Sequence, residues 1–361
     1  MPRPIRATIS AGALAHNLTV AKAHAGDAKV WAVIKANAYG HGLERAARAL
    51  AAADGYAVLD FQEAARLRVA GIDKPILMLE GIFKPGDIPL LTKDRLTPVI
   101  HNSEQVEMLR GAELAHEIDV YLKVNSGLNR LGFTVDNLRP AYNALRLHPQ
   151  VRQITLMTHF ADADGAGGVK SQLDWFNELT KPFEPQSRSL ANSAALVAFP
   201  EARGEWVRPG IILYGCSPFV GMSSSRSAAS LGLKPAMTLT SEIIATQHLQ
   251  AGERIGYGGS YEAVGEMTIG VVACGYADGY PRHAPSGTPV LVNGKRTRTV
   301  GRVSMDMMTV DIGDIPEAYI GTPVTLWGEG LSADEVAASA GTLSYELLCA
   351  LAARVPVSEA A

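Results

Sequence analysis

The sequence has little of several features that would each mark a specialised class of protein. Its 361 residues include only three cysteines (Cys216, Cys274 and Cys349), and none lies in a Cys-x-x-Cys pair. This argues against a disulfide framework and a thiolate metal site, so we expect no metal and a reducing, cytoplasmic location. Lys and Arg total 33 against 36 Asp and Glu, a net charge of −3, which predicts no nucleic-acid partner.

Long apolar runs are also missing. No stretch approaches the roughly 18 uncharged apolar residues of a transmembrane helix, so we expect no membrane association. Arg3 and Arg6 before the apolar Ile9–Ala15 imitate a secretory leader. However, the apolar residues that follow recur at helical spacing between a possible N-cap, Ser10, and a stop, Gly26. An amphipathic helix is the better interpretation.

What is present is a regular alternation of strand-like and helix-like segments from Lys29 to about Gly215. Several strands are continuous apolar runs, which is typical of parallel strands buried on both faces. Eight strand–helix units predict a (β/α)₈ TIM-type barrel, with a doubly wound open sheet as the alternative, because periodicity cannot show closure. The strand candidates are Val30–Lys35, Tyr56–Asp60, Ile76–Glu80, Thr97–Ile100, Ile118–Val124, Gln153–His159, Arg188–Ala191 and Val207–Leu213.

The pattern changes after about Ser217. The Ser- and Ala-rich stretch Met222–Ser230 has no period and predicts a loop, and Asn293-Gly294 predicts a turn between two strands. We therefore expect an α/β chain of two domains: a barrel domain, 1–225, and a mostly-β domain, 226–361, with residues 1–10 packing on the latter. The strand candidates of the second domain are Met237–Gln247, Met267–Ala273, Val290–Val292, Arg296–Val303, Met307–Ile312 and Val324–Leu326.

Lys35 is the first candidate for chemistry. In a (β/α)₈ barrel, functional residues sit at the C-terminal ends of the strands, and Lys35 ends the first predicted strand, beside Ala32, Val33 and Ile34. A surface lysine that extends its ammonium into water is the ordinary explanation. The functional explanation is a Schiff-base lysine, since partial burial favours the neutral amine that attacks an aldehyde.

Nine segments, in order along the whole chain, resemble the motifs of the alanine racemases, a pyridoxal phosphate (PLP)-dependent family of fold type III. One such segment would be weak support, but nine in order across both predicted domains are specific. The segments are 32–42 (AVIKANAYGHG), 121–133 (YLKVNSGLNRLGF), 158–160 (THF), 190–195 (LANSAA), 207–215 (VRPGIILYG), 254–261 (RIGYGGSY), 274–280 (CGYADGY), 301–306 (GRVSMD) and 343–347 (LSYEL).

The resemblance implies an isomerase that interconverts L- and D-alanine through a PLP external aldimine and a two-base transfer of the α-proton. Its role would be D-alanine biosynthesis or, as the alternative, D-alanine degradation. The resemblance implies that Lys35 carries the cofactor as N6-pyridoxal phosphate lysine and is the base for the D-enantiomer, while Tyr257 is the base for the L-enantiomer. A tyrosine hydroxyl has a pKa near 10, so such a base needs cationic neighbours. The family also implies a homodimer in which Tyr257 and Met305 reach the neighbouring subunit's active site.

The resemblance also assigns the cofactor-binding residues. The loops after strands seven and eight are the usual phosphate site of a barrel, where free amides favour an anion. Arg208 matches the arginine that faces the pyridine nitrogen; its lasting charge keeps that nitrogen unprotonated and limits side reactions. His159 is implied to lie nearby. The expected phosphate contacts are Tyr39, Asn192, Ser193, Gly210, Ile211 and Tyr345.

Substrate binding is implied for Arg130 and the backbone N–H of Met305, which would hold the alanine carboxylate. Lys123 stands seven residues before Arg130, where the family carries a carbamylated lysine that positions the arginine. The chain departs from the family pattern at Asn125 and Asn129. Fewer negative groups near Lys123 should make an added carbamate easier to accommodate.

Three other functions compete with this interpretation. A broader amino-acid racemase of the same family would differ only in its pocket volume. A PLP decarboxylase on a related barrel pairs the pyridine nitrogen with a carboxylate, which Arg208 argues against. A non-catalytic PLP-binding protein of single-barrel type would lack the second domain with Tyr257.

Overall fold

The computed structural model describes residues 3–183, 186–219 and 226–360. The chain begins with strand β1 (Arg6–Ser10) and continues directly into helix α1 (Ala11–Ala25). The Ser10 Oγ accepts the N–H of Ala13 at 3.1 Å, and Gly26 follows the helix with φ of 62°. The predicted helix, its cap and its stop are confirmed, whereas β1 is a strand that the sequence did not reveal. Throughout the described residues, every helix is too short or too polar to traverse a bilayer.

Eight parallel strands form a closed barrel in which each strand pairs with its neighbours and the last pairs with the first. Closure confirms the (β/α)₈ prediction and eliminates the open doubly wound sheet. Side chains from opposite strands meet inside the barrel: the Nε1 of Trp31 donates to the hydroxyl of Tyr121 at 2.8 Å. The strands are β2 (Lys29–Val33), β3 (Gly55–Val58), β4 (Ile76–Met78), β5 (Leu96–Ile100), β6 (Ile118–Lys123), β7 (Val151–Met157), β8 (Ser187–Ser189) and β9 (Trp206–Val207).

Helices follow most barrel strands and bury one face each. Their starts are set by local chemistry: Asp60 and Asn102 each accept an amide from the first turn of the helix that follows. Gly71, with φ of 78°, lies just past the end of its helix, as a C-terminal glycine should. The helices are α2 (Leu43–Ala49), α3 (Phe61–Val69), α4 (Ile88–Lys93), α5 (Ser103–Arg110), α6 (Leu138–Arg146), α7 (Lys170–Thr180) and α8 (Ser193–Ala198).

Several predicted strands are shorter in the structure, among them the first, which ends at Val33 and leaves Lys35 just beyond it. The last barrel strand differs most. The apolar run Val207–Leu213 was predicted to be a strand, but only Trp206–Val207 pairs in the barrel, and Ile211–Tyr214 is a 3₁₀ turn. Pro209 supplies no backbone N–H and Gly210 offers no side chain to pack, so the extended pairing stops there. An apolar run alone does not distinguish a buried strand from a buried helical turn.

The second part of the chain is mostly β, as predicted. Its main sheet has eight strands: six follow the order β15-β14-β17-β10-β1-β18, β13 also pairs with β10, and β16 pairs with β13. Strands β11 and β12 pair with each other separately. Asn293 and Gly294 (φ of 50° and 75°) join β14 to β15, which confirms the predicted turn. The elements are β10 (Met237–Leu249), β11 (Arg254–Ile255), β12 (Tyr261–Glu262), β13 (Met267–Val272), β14 (Pro289–Val292), β15 (Lys295–Arg298), β16 (Met308–Asp311), β17 (Pro323–Trp327), α9 (Ala333–Ser339), α10 (Ser344–Cys349) and β18 (Val357–Ala360).

Contacts within the chain divide it into two compact units. One contains Asn17–Ala38 and Gly42–Leu213, and the other contains the described residues of Met1–His16, Tyr39–His41 and Tyr214–Ala361. Part of the loop predicted at Met222–Ser230 lies outside the described residues. The domain boundary at residues 225 and 226 stays a prediction.

Candidate active site

A group of cationic side chains lies at the C-terminal ends of the barrel strands. Lys35 follows β2, Lys123 ends β6, and Arg208 follows β9, while Arg130 lies in the loop after β6. Lys123 is only 6% exposed. Burial first, and then the charges of Arg208, Arg130 and Lys35, lower the pKa of Lys123 to about 8, against an opposing effect of Glu80. The barrel therefore concentrates positive charge at one end.

Arg208 is fully enclosed and its hydrogen bonds fix its guanidinium. Nη1 donates to the Ser189 carbonyl at 2.6 Å and to the Ser189 hydroxyl at 2.8 Å, and Nη2 donates to the Thr158 carbonyl at 2.6 Å. Burial lowers the pKa of Arg208 to about 10, which still leaves it protonated at neutral pH. The arginine is thus a fixed, lasting cation held by two neighbouring strands.

His159 shares this environment. It lies two residues beyond β7, and its pKa is lowered to about 3, first by burial and then by the charges of Arg208, Lys123, Arg130 and Lys35. The imidazole is therefore neutral at physiological pH. A neutral histidine among cations can accept a hydrogen bond, but it adds no further positive charge.

The predicted phosphate residues of the barrel meet at the start of α8. Asn192 caps this helix by accepting the Ala195 N–H at 2.9 Å, while the Ser193 Oγ accepts the Gly210 N–H at 2.9 Å. The N-cap is therefore Asn192, and Ser193 is the first helical residue. Because the Ser193 oxygen is already an acceptor, its proton remains for donation to an anion. Ile211, which follows Gly210, begins the 3₁₀ turn.

Asn125 and Asn129 shape the loop that carries Arg130. The Asn125 Oδ1 accepts the N–H groups of Gly127 at 3.1 Å and Asn129 at 3.0 Å, and its Nδ2 donates to the Asn129 Oδ1 at 3.0 Å. Asn129 has φ of 56°, a conformation that Asn tolerates better than most residues. The two asparagines that depart from the family pattern therefore hold each other and place Arg130 on an exposed loop.

Three tyrosines pack together in the compact unit that contains Tyr214–Ala361, the second unit. The ring of Tyr39 stacks on Tyr214 with centroids 4.6 Å apart, and it lies 5.9 Å from the ring of Tyr345. Burial, and then Cys349, raise the pKa of Tyr39, so its hydroxyl stays protonated and remains a donor. Two of the predicted phosphate contacts, Tyr39 and Tyr345, are thus brought together.

Tyr257 stands on an exposed turn. It lies between β11 and β12, with Gly256, Gly258 and Gly259 around it at φ of 71°, 73° and 54°. Its own side chain is 73% exposed. The paired strands fix the base of this turn, whose tip projects Tyr257 outward.

Met305 lies on a second exposed loop, which backbone contacts hold in place. The Ser304 carbonyl accepts the Tyr276 N–H and the Met305 carbonyl accepts the Ala277 N–H, each at 3.0 Å. A Cβ added at Gly275 would stand 2.3 Å from both carbonyl oxygens, so only glycine allows this approach. Met305 itself is 52% exposed.

Sequence reasoning missed the residues that support these groups. Ser189 lay within a predicted strand and Thr158 within a quoted motif, yet nothing in either pattern assigned them to Arg208. Glu63, which accepts the Asn37 N–H, lies in the first turn of a helix and belongs to none of the nine motif segments. A single sequence carries no signal for such contacts because they join distant strands and helices.

Comparison with known proteins covers nearly the whole chain. Residues 9–218 match the family profile "Alanine racemase, N-terminal domain" and residues 236–358 match "Alanine racemase, C-terminal domain". The chain is 54% identical to the alanine racemase of Ralstonia nicotianae, over 99% of this chain and 96% of that protein. It is also 54% identical to that of a Janthinobacterium species, over 99% of each.

Solved structures of alanine racemases have the same fold as this chain. The biosynthetic alanine racemase of Pseudomonas aeruginosa superposes with a TM-score of 0.95 at 47% identity, covering 99% of this chain and 100% of that one. The alanine racemase of Bacillus anthracis with bound L-Ala-P gives a TM-score of 0.85 at 32% identity, covering 100% and 96%. Both the barrel and the mostly-β domain are therefore shared with proteins of this kind.

Proposed function

Since the chain belongs to the alanine racemase family, we propose that it uses pyridoxal phosphate, held by Lys35, to interconvert the two enantiomers of alanine. The reaction class follows from the whole-chain similarity: the chain is an isomerase, EC 5.1.1.1, and its substrate is alanine. The observation that supports the cofactor and its place is the group of cations at the strand ends of the closed barrel.

These residues fit the cofactor by their chemistry. A phosphate and a carboxylate bring negative charge, and Lys35, Lys123, Arg130 and Arg208 surround the end of the barrel with positive charge. Asn192, Ser193, Gly210 and Ile211 lie where a barrel binds phosphate, and the Ser193 hydroxyl has a proton to donate. Tyr39 and Tyr345 would add phenolic donors. Arg208, fixed by strand carbonyls, would face the pyridine nitrogen, with His159 beside it.

When bound, pyridoxal phosphate supplies the electron-withdrawing ring that makes the substrate's α-proton acidic. The chain's own residues supply the rest. Lys35 anchors the cofactor and removes or returns the proton of D-alanine, and Tyr257 does so for L-alanine. Arg130 and the Met305 N–H hold the carboxylate, which fixes the faces of the substrate that the two bases address. The lasting cation of Arg208 would keep the pyridine nitrogen of a bound cofactor unprotonated. This would moderate the electron-withdrawing power of the ring and favour racemisation over transamination.

Lys123 is proposed to be carbamylated. Carbon dioxide reacts with the neutral amine, and a pKa of about 8 leaves a substantial neutral fraction near physiological pH. The reaction joins the amine nitrogen to the carbon of CO₂, releases one proton and leaves an anionic carbamate. This exchanges one cation in a group of cations for an anion that can hold Arg130.

Assembly and location are part of the proposal. The exposed Tyr257 and Met305 support a homodimer in which these residues complete the partner's site. Three free cysteines support a cytoplasmic location. A role in D-alanine biosynthesis would follow from the reaction in its L-to-D direction.

The test combines a trapping experiment with an assay. The purified protein is treated with borohydride and digested, and the reduced cofactor is expected on the peptide that carries Lys35. Loss of optical activity is then followed for each L-amino acid, where alanine is expected to be strongly preferred. Cofactor on a different lysine would refute the assigned site, and equal rates with bulkier amino acids would indicate a broader racemase.

A further inference from the structure

The segment directly after Lys35 has an unusual backbone. Ala36 (φ 55°, ψ 51°), Asn37 (φ 53°, ψ 41°) and Ala38 (φ 53°, ψ 51°) are left-handed, and Tyr39 continues with φ of 51°. For L-residues this conformation brings the Cβ close to the following carbonyl oxygen, and residues other than glycine normally adopt it singly. Four in a row form a strained left-handed turn, which persists only if its surroundings hold it.

Part of what holds this left-handed turn is its own hydrogen bonding. The Ala38 N–H donates to the Ile34 carbonyl at 2.9 Å, and the Gly42 N–H donates to the Asn37 carbonyl at 2.9 Å. The Asn37 side chain accepts the Leu43 N–H at 3.0 Å, at the start of α2. Asn37 is therefore the centre of the turn.

The remaining support for the left-handed turn comes from α3, the helix that follows the second barrel strand. The carboxylate of Glu63, 9% exposed, accepts the Asn37 N–H on Oε1 at 3.3 Å and the Leu59 N–H on Oε2 at 3.2 Å. Its own N–H donates to Asp60, the cap of α3, at 2.8 Å. A carboxylate in the first turn of a helix is stabilised by the helix dipole, so Glu63 is itself well fixed.

We propose that Glu63 is a positioning residue: its carboxylate holds the Asn37 amide, and with it the left-handed turn that directs the Lys35 amine. The proposal rests on the proposed attachment of pyridoxal phosphate to Lys35. A merely structural Glu63 would stabilise α3 and the barrel without affecting Lys35. The two roles differ because Asn37 is only two residues from Lys35, whereas α3 follows a different barrel strand.

The experiment compares Glu63→Gln with Glu44→Gln. The amide has one oxygen to accept and cannot serve both N–H groups as the carboxylate does. Glu44 is the matched control, since it lies on neighbouring α2 and pairs with Arg66 at 2.9 Å on the surface. For Glu63→Gln we expect about tenfold weaker binding of pyridoxal phosphate to the apoprotein and about tenfold lower kcat, as for loss of a supporting contact. KM for alanine should change less than about twofold, because Arg130 and Met305 are untouched. Amide exchange in the segment 36–43 should accelerate.

A second substitution tests the strain directly. Ala36 is exposed, and glycine adopts its φ of 55° without penalty, so Ala36→Gly should reduce the need for the Glu63 contact. Added to Glu63→Gln, it should restore most of the lost cofactor binding. Ala51→Gly is the control, because Ala51 is also exposed but has an ordinary φ, and it should restore nothing.

The outcomes separate this proposal from the proposed function. If wild-type protein carries no cofactor on Lys35, the proposed function fails. If the wild-type protein does carry the cofactor on Lys35, but Glu63→Gln binds cofactor and turns over alanine like Glu44→Gln, only the positioning role of Glu63 is overturned. The positioning role is also overturned if adding Ala36→Gly does not restore cofactor binding to Glu63→Gln. If Glu63→Gln does not fold, Glu63→Asp takes its place, because the shorter aspartate carboxylate cannot reach both amides. The same weakening and the same rescue are then required.

Discussion

At the scale of single residues, the surroundings decide what each charged group can do. Arg208 and Lys123 are both buried cations near β-strand ends, but they differ in chemistry. Arg208 keeps its proton at neutral pH and its donors are bound to carbonyls, whereas Lys123 has a pKa of about 8 and can present a neutral amine. Arginine therefore provides a fixed charge here, and lysine provides a nucleophile.

Tyr257→Phe tests the two-base proposal. Removing one general base typically lowers the rate about 10²–10⁴-fold. Racemisation must slow in both directions, because the equilibrium constant between the enantiomers is fixed at unity. Exchange of the α-proton with deuterated solvent should persist for D-alanine and nearly vanish for L-alanine. Tyr319→Phe, a change at another exposed tyrosine of the same unit, should leave both exchange rates intact. Equal exchange of both enantiomers in Tyr257→Phe would mean that one base serves both faces.

The carbamate on Lys123 can be observed with ¹³C-labelled bicarbonate. At pH 8.5 a labelled carbamate signal is expected from wild-type protein, and it should weaken as the pH falls below about 8, because protonation removes the neutral amine. Lys123→Met should lose the signal and raise KM for alanine about tenfold as Arg130 loses its partner. Lys93→Met, on the surface of α4, should behave as wild type. A signal that survives in Lys123→Met would assign the carbamate elsewhere.

At the scale of elements, loops are held by buried polar groups that belong to distant parts of the chain. Asp278, whose side chain is inaccessible, accepts hydrogen bonds from Arg3 at 2.7 Å, Arg354 at 2.8 Å and the Gly275 N–H at 2.9 Å. Both arginines also reach Asp306, next to Met305. The two ends of the chain are thus fastened to the loop that carries a proposed substrate contact.

Asp278→Asn should therefore destabilise the second unit. Burial opposes ionisation, but the hydrogen bonds from Arg3 and Arg354 outweigh it and lower the pKa of Asp278 below 3.8. A depressed pKa means that the stabilisation is present above the unfolded value and lost as the pH falls through the folded one. Urea unfolding at pH 7 should show a loss of about 3 kcal/mol, and the difference from wild type should shrink below about pH 4.

The matched control for Asp278→Asn is Glu317→Gln, which breaks an exposed pair with Lys295 in the same unit. Its effect should be under about 1 kcal/mol. The stabilising role of the ionised Asp278 would be contradicted if Asp278→Asn lowered the free energy of unfolding no more than Glu317→Gln does. A loss that does not depend on pH would contradict it as well.

At the scale of the whole molecule, the residues proposed to act on the substrate are divided between the two parts of the chain. The barrel carries Lys35, Arg130 and Arg208, while the mostly-β unit carries Tyr257 and Met305 on exposed loops. An exposed tyrosine and methionine on fixed loops are suited to enter another molecule's site.

Mixed dimers test this sharing. Lys35→Ala and Tyr257→Phe each inactivate the protein alone, but after mixing and re-association at a one-to-one ratio, half of the dimers contain one copy of each. If each site combines Lys35 of one subunit with Tyr257 of the other, every mixed dimer has one intact site, and about a quarter of wild-type activity returns. No recovery, in preparations shown by mass to contain mixed dimers, would place both bases on the same chain.

The sequence by itself predicted eight barrel strands, without all of their ends, and the mostly-β second part, because strand periodicity and turn residues are local properties. The residues proposed for the chemistry also came from sequence motifs, since a reactive side chain is a local property. Tertiary structure decided the closure of the barrel, the end of the strand at Val207, the bonds that fix Arg208 and the left-handed turn held by Glu63. These depend on groups far apart in sequence, such as Ser189 with Arg208 and Asn37 with Glu63. A local pattern cannot encode such pairs, since the free energy that selects them arises only when the chain brings them together.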